Sequence, residues 1–592
     1  MTNTKNTIRK KTAGKFKRTI ASVLAAVMMM TTAASFSAFA DTQAVTTMNT
    51  TTAMSQAALY NGSPIIDDSY VCDNGITIPF KYSDGFFAAD PTQFDNHLAT
   101  MSDAMAEAST TYVNNGDWSD GAKTIKEVLG KCGFENVEES SSYKVKPTED
   151  SIACAFGSKT IKTDNGNRTL ISVTVRSASY VMEWCSNVTL GTSGEAKGFA
   201  DSADKVVGYF NDYLAKHPEL KDDLDSGKVT FWLSGFSRGG AVANLTAKRL
   251  IDAYQPNGTK VFAYTLETPQ GGIASEEKSD RDYTCIHNII DKNDIVPYVA
   301  PSQMGFKRYG VDYYVNDNVT DTDNVKYQIS KVTGRADIGN YKPFDITGKK
   351  VNIIGLSIDD TNDHDTAGLI KRITDELCSV CSREQYVNSG LQDALRRFMK
   401  FINNGADLKA MYNDISITKL ILSVVAAEYS DNLSAGSVVI KAAKTVGHLF
   451  SDAWNFVVHG KTPDPENYIP DPVGNMKKSA ISAVQSYLKD NDKIMAKLAN
   501  YQGGADQAIK DIGVVAKFVV DSGLDNLNDF ATLGLNVEGI FNNHSTIQTM
   551  GYLRAADDWY KKGSYDRIKA DEAANNWLAN VKLVPDNFVS VF

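Results

Sequence analysis

Five consecutive residues carry the clearest chemical signal in the chain: Gly235, Phe236, Ser237, Arg238 and Gly239, a Gly-x-Ser-x-Gly run. A serine hydroxyl is a weak nucleophile and needs a base within hydrogen-bonding reach to take its proton. The pentad presents the hydroxyl usefully only where a strand ends, the chain turns sharply under strain, and a helix begins. Both flanks meet that condition. Residues 229–233 (VTFWL) are apolar, β-branched and aromatic, the pattern of a buried strand. Beyond the pentad, apolar and small residues recur at helical spacing as far as Leu250, and Gly239, Gly240 and Ala243 give that helix a narrow face. Ser237 is therefore the candidate nucleophile. The competing reading is a glycine-rich strand-to-helix turn without chemistry.

The elements needed to hold such a turn precede and follow it. Residues 95–112 place Leu98, Met101, Met105, Ala108 and Tyr112 at three-to-four spacing, an amphipathic helix with His97 as a surface or capping residue near its start. A second helix is expected over 123–132. Strands are expected over 151–161 and 168–175, the latter (RTLISVTV) nearly all β-formers. A long helix from Asp201 stops near His217-Pro218, which makes His217 structural. Further strands fall at 261–266 and 285–290, with His287 inside the second as a sheet-face residue. Alternating strands and helices over 151–297 argue for a mostly parallel α/β sheet.

In that order, the motifs resemble the class 3 lipase branch of the α/β-hydrolases. RTLISVTVRSAS stands where the family has a strand and then Arg-Gly-Ser or Arg-Gly-Thr. EWC resembles its Asp-Trp, AKGF its His-x-Gly-Phe, GFSRGGAVANL its elbow, TLETP its Thr-Phe-x-x-Pro, and NIIDKNDIVPYVAP its Asp-Ile-Val-Pro segment. The likeness spans roughly 94–314, with one departure: Ser177 replaces a glycine after the strand at 168–175. The resemblance implies an α/β-hydrolase with a mostly parallel sheet, the nucleophile at Ser237 and the acid at Asp294. Asp294 also suits that role by its place, just after a strand and ahead of a stiffening proline. Asp291 is its nearest rival.

The order Ser, Asp, His leaves His364, His448, His459 and His544 as the base. His448 and His459 flank an amphipathic helix and read as packed or surface residues. His364 sits among four aspartates within 359–365, which favour its protonated form. His544 precedes a late helix from Ile547, which resembles where the family keeps its base, so His544 stands first and His364 second. The resemblance also implies an oxyanion hole from the backbone N–H of Arg238 with that of Ser177 or Ala178. The Arg238 side chain reads as a salt bridge holding the elbow helix.

Composition sets the wider frame. A chain of 592 residues with 42% hydrophobic and 22% charged residues is globular and too long for one core. Residues 1–40 combine seven basic and no acidic residues, a short apolar run and Ala38-Phe39-Ala40, the pattern of a secretory signal peptide. Its removal takes the formal charge from −10 to −17, which argues against nucleic acid as a partner. Seven scattered cysteines, an odd count, are no disulfide framework, and Cys378-Ser379-Val380-Cys381 lacks the second ligand pair of a zinc site. The acidic run at 359–365 lacks the glycine and closing glutamate of an EF-hand loop. No metal or cofactor is implied.

The expected organisation is a signal peptide at 1–40, a flexible lead-in at 41–92, an α/β-hydrolase core at 93–350, a helical insertion at 366–530 and a return to the core at 531–592. Within the insertion, 415–456 is the candidate lid, against an ordinary helical subdomain. The expected function is that of a secreted serine hydrolase of carboxylic esters, of acylglycerol type, with transient contact to a lipid interface and no obligate protein partner. The rival from another class is an inactive hydrolase scaffold that serves as an extracellular binding protein.

Overall fold

The computed structural model describes residues 59–72, 76–110, 118, 120–163, 166–178, 181–274, 283–315, 322–333, 350–353, 356–359, 378–406, 473–521 and 543–561, with single positions around 371–375 and 411–415. Two compact units emerge. One is built from 38–344 with 538–591, the other chiefly from Asp345–Val537.

The first unit is organised on a seven-stranded sheet: β1 (Glu135–Glu139), β2 (Cys154–Thr163), β3 (Gly166–Val175), β4 (Val229–Phe236), β5 (Lys260–Leu266), β6 (Ile286–Ile290) and β7 (Val311–Tyr314). The strands lie side by side in chain order. β3 to β7 are parallel, whereas β1 and β2 pair antiparallel at one edge. β4 is central and buried at every residue, as expected of a strand covered on both faces. Both faces are covered by helices: α1 (Asn96–Ser109), α2 (Lys123–Lys131), α3 (Lys197–Lys216), α4 (Arg238–Tyr254), α5 (Thr322–Thr333) and α6 (Thr546–Ala556).

Alternation along β4 assigns the faces. Trp232 points to the α1 side, where its Nε1–H donates to Ser102 Oγ at 2.9 Å. Phe231 points the other way, its ring 5.4 Å from that of Phe210 in α3. α1 begins at Asp95, whose carboxylate accepts from the N–H groups of His97 and Leu98, a side-chain N-cap. On the α4 side, Asn244 donates to Asn288 of β6, and Thr265 of β5 donates to the same oxygen.

Residues 59–92 correct one expectation. A flexible lead-in was expected to run to residue 92, but from residue 59 the chain is structured. Strands Ile66–Val71 and Thr77–Tyr82 pair antiparallel. Tyr82 stacks on Trp232 at 6.0 Å, and Phe87 packs on Trp232 at 5.7 Å and Phe262 at 5.3 Å. These rings close the α1 face of the sheet. His97 is also neither surface nor cap: its ring stacks on Trp559 at 3.8 Å, and Nδ1 lies 2.7 Å from Asp557 Oδ1. His217 and His287 are structural, bonded to Glu138 and to the Pro91 carbonyl respectively.

Among its described residues, the second unit is largely helical: Arg383–Asn388, Leu391–Asn403, Val473–Lys489, Asp492–Lys497 and Gly504–Asp521, with an antiparallel pair at Lys350–Ile353 and Leu356–Asp359. Arg397 grips both oxygens of Asp511 at 2.7 and 2.8 Å, and Tyr501 donates to the same carboxylate at 2.8 Å. Apart from its first residue, the proposed lid at 415–456 lies outside the described residues, as do the candidates His364, His448 and His459. All seven cysteines are free thiols.

Trp232 joins the early hairpin to the sheet, so its truncation should be costly. Trp232→Ala is expected to lose about 3–5 kcal/mol of stability, the range for emptying a large aromatic site. Urea unfolding followed by circular dichroism measures this; a loss below about 1 kcal/mol would contradict the packing role.

Candidate active site

The site grows from the turn after β4. Ser237 has φ 57° and ψ −128°, a left-handed conformation that costs a non-glycine residue about 1–3 kcal/mol. It persists because both neighbours are fixed. The Ser237 N–H donates to the Leu266 carbonyl at 2.8 Å, and the Ser237 carbonyl accepts from Ala241 in the first turn of α4. Two glycines make the turn sterically feasible. A Cβ on Gly235 would lie 2.4 Å from the Gly239 oxygen, and one on Gly239 would lie 2.5 Å from the Val175 oxygen. Contacts that short exclude any side chain.

Strand register then decides what surrounds the serine. Val175 of β3 pairs with Gly235, Leu266 of β5 pairs with Phe236, and Ile289 of β6 pairs with Leu266. The residues just past these strands therefore meet at one level, outside the carboxyl ends of the parallel strands, where open α/β sheets hold their sites. They are Arg176 to Ala178, Glu267, and Asp291 to Asp294.

The structure brings Ser237, His544 and Asp294 together. His544 Nε2 lies 2.7 Å from Ser237 Oγ, and His544 Nδ1 lies 2.5 Å from Asp294 Oδ2. All three are fully buried. With the proton on Nδ1, the imidazole donates to Asp294 and offers the Nε2 lone pair to the serine. The other oxygen of Asp294 accepts from the Val296 N–H at 2.9 Å. Burial pushes the His544 imidazole down to about 3, so the resting ring is neutral and able to accept a proton. The His544 ring also packs on Phe236, 4.6 Å between centroids.

Four side chains dock the His544 loop and the start of α6 onto the strand ends. Asn543 donates to the Asn293 carbonyl at 3.0 Å, and Gln548 donates to Asp291 Oδ2 at 2.8 Å. Thr546 donates to Glu107 of α1, and Thr549 donates to Glu267 Oε1 at 2.9 Å. Asp291, the rival acid, is thus spent on Gln548 and on the Asn293 N–H.

The remaining candidates fall around the elbow. Arg238 is the first residue of α4, so helical geometry leaves its N–H without an intrahelical partner. Ser177 and Ala178 are buried past the end of β3. Ser177, standing where a glycine was expected, has its hydroxyl 3.4 Å from Thr110 Oγ1. The Arg238 side chain corrects an expectation: among the described residues it makes no direct ion pair. Its guanidinium donates to Ser186 Oγ at 2.8 Å and Ser202 Oγ at 3.0 Å, and burial pushes it down to about 10. The ion pair beside it joins Arg176 to Glu183, 2.6 Å apart and both buried. Sequence reasoning did not single out Glu107, Glu267, Asn543, Gln548 or Thr549 as parts of the site. Only Glu267 carried a signal, as a carboxylate directly after a strand at the nucleophile's level. Among the described residues no group of histidines, cysteines or carboxylates is arranged to hold a metal ion.

Residues 172–304 match the family described as Lipase (class 3). The elbow and Asp294 both lie inside that match, on the mainly parallel sheet described above. The chain is 28% identical to a lipase of Rhizomucor miehei over 173 residues, 26% of this chain and 44% of that protein; it thus spans less than half the length of this curated relative. Among solved structures, the triacylglyceride lipase of Rhizomucor miehei superposes with a TM-score of 0.27 at 20% identity, covering 38% of this chain and 80% of the other. A propeptide complex of Rhizomucor miehei lipase gives 0.26 at 21% identity, covering 41% and 74%.

The buried neutral imidazole has a stability consequence of fixed sign. Its folded value lies below the ordinary 6.5, so the stability it confers is complete above about pH 6.5 and is lost as pH falls toward about 3. Relative to its own value near pH 7.5, the wild type should lose about 2 kcal/mol more than His544→Gln by about pH 5, since each unit is worth about 1.4 kcal/mol. Urea midpoints across this range measure the difference; parallel curves for the two proteins would contradict it.

Proposed function

We propose that this chain is a secreted serine hydrolase of carboxylic esters, acting on acylglycerol-type lipids. The observation that carries the reading is the buried line from Ser237 through His544 to Asp294, with contacts of 2.7 and 2.5 Å, at a strained elbow. The match of residues 172–304 to the class 3 lipase family supports it.

Ser237 Oγ attacks the ester carbonyl while His544 Nε2 takes the hydroxyl proton. Asp294 holds the ring in the required tautomer and stabilises the imidazolium. The carbonyl oxygen becomes an anion, received by the backbone N–H of Arg238 and that of Ser177 or Ala178. The tetrahedral intermediate collapses, His544 returns the proton to the departing alcohol oxygen, and the acyl group stays on Ser237. Water, deprotonated by His544, then releases the acid. No cofactor enters these steps. Secretion rests on the leader pattern at 1–40. No helix among the described residues is long and apolar enough to cross a membrane. The lid role of 415–456 remains a proposal from sequence.

A fluorophosphonate probe should label the wild type at Ser237 and leave Ser237→Ala unlabelled. Ester turnover should be abolished by His544→Ala, and Asp294→Asn should lower kcat by about 10⁴. A folded wild type that neither reacts with the probe nor hydrolyses nitrophenyl esters would favour the binding-scaffold reading. Because burial keeps His544 neutral, the acid limb of the kcat/KM profile should fall below the ordinary imidazole value of about 6.5. A limb at or above that value would contradict this.

A further inference from the structure

Glu267 immediately follows β5 with φ 44°, a left-handed conformation rarely adopted by a residue with a side chain. It is fully buried and hydrogen-bonds the Asp294 carboxyl. Its other partners are the Asp291 N–H, which donates to Oε2 at 2.8 Å, and the Thr549 hydroxyl, 2.9 Å from Oε1. Two carboxyl groups in contact in a buried site cannot both ionise, so one holds a proton. The donor sets differ between the two. Asp294 receives one N–H at each oxygen, from Val296 and from the imidazole. Glu267 receives one N–H and a hydroxyl, and that hydroxyl can turn instead to the Ser545 carbonyl, 3.1 Å away.

Resting on the hydrolase reading above, we propose that Glu267 is a positioning residue: protonated at rest, it donates a hydrogen bond to the Asp294 carboxylate and keeps that group ionised and aimed at His544. Nothing in the surroundings argues for a second anion. Asp291 faces Glu267 from the loop after β6, and Asp103 faces it from α1. Burial and the neighbouring Asp294 and Asp291 charges hold Glu267 well above the usual carboxylate range; burial pushes Asp294 upward too, opposed by its hydrogen bonds from Val296 and Glu267, so the donor sets are what assign the proton. Asp103 is fully buried, and its carboxylate oxygens have no hydrogen-bond partner among the described residues. Burial likewise pushes it upward, against the pull of Arg554 in α6.

The variants Glu267→Gln and Glu267→Ala of the full chain separate the alternatives. Glutamine keeps a donor but cannot ionise, so it should hold kcat/KM within about threefold and leave the acid limb unmoved. Alanine loses a charge-assisted bond, and kcat should fall about 10- to 100-fold at unchanged KM. Its acid limb should move upward, because the Asp294 charge then concentrates on the imidazole. Glutamate carrying a ¹³C carboxyl should show a protonated-carboxyl infrared band at neutral pH that Glu267→Gln removes; the label separates it from Asp103. A glutamine variant as impaired as alanine, or two variants that change only the melting temperature, would overturn the proposal. Absence of that band would do so too. Should the wild type fail to hydrolyse esters, the hydrolase reading falls, and the infrared band still decides whether Glu267 holds the proton.

Discussion

The arrangement depends on how an imidazole 250 residues downstream is held against a carboxylate at the end of β6. Tethering two points so far apart is entropically unfavourable, and the single His544–Asp294 bond does not offset it alone. The remaining hold comes from side chains on either side of His544. Between them they reach three elements: Asn543 and Gln548 the loop after β6, Thr546 α1, and Thr549 the end of β5. The histidine is thus located by polar contacts from three directions before it touches the serine.

Those contacts explain why so many carboxyl groups are buried in one place. Asp103, Glu107, Glu267, Asp291 and Asp294 are all nearly or fully excluded from water. Ionised and unpaired they would be prohibitively unfavourable there. Hydrogen bonds from Thr546, Gln548, Thr549 and backbone N–H groups satisfy four of the five. The polar network beneath the serine is therefore both the anchor for α6 and the environment that sets the acid's charge.

Much of this was legible before any coordinates. The elbow was readable because its geometry demands particular residues: glycine at 235 and 239, where a Cβ would meet backbone oxygen, and an apolar strand before them. Asp294 was readable from its place after β6. His544 emerged only by chain order and resemblance, since nothing local distinguishes Asn542-Asn543-His544 from a surface turn. Glu267 was passed over because a glutamate before Thr-Pro reads as a solvated turn residue; its burial is created by α6, a tertiary fact. β1 (ENVEE) was missed because three glutamates mask an edge strand that needs only one covered face. The hairpin at 66–82 fell inside the lead-in expected at 41–92, although TIPFKY alternates as a half-buried strand should.

The sheet unit is interrupted in sequence: it is built from 38–344 and completed only by 538–591. During synthesis the serine and its acid leave the ribosome long before the base does, 307 residues separating Ser237 from His544. Until then the Ser237 hydroxyl lacks the imidazole it contacts in the finished fold. A copy that stops short of residue 544 lacks the imidazole that meets the Ser237 hydroxyl. The order of the pieces along the chain thus leaves the polar network beneath the serine to be completed last.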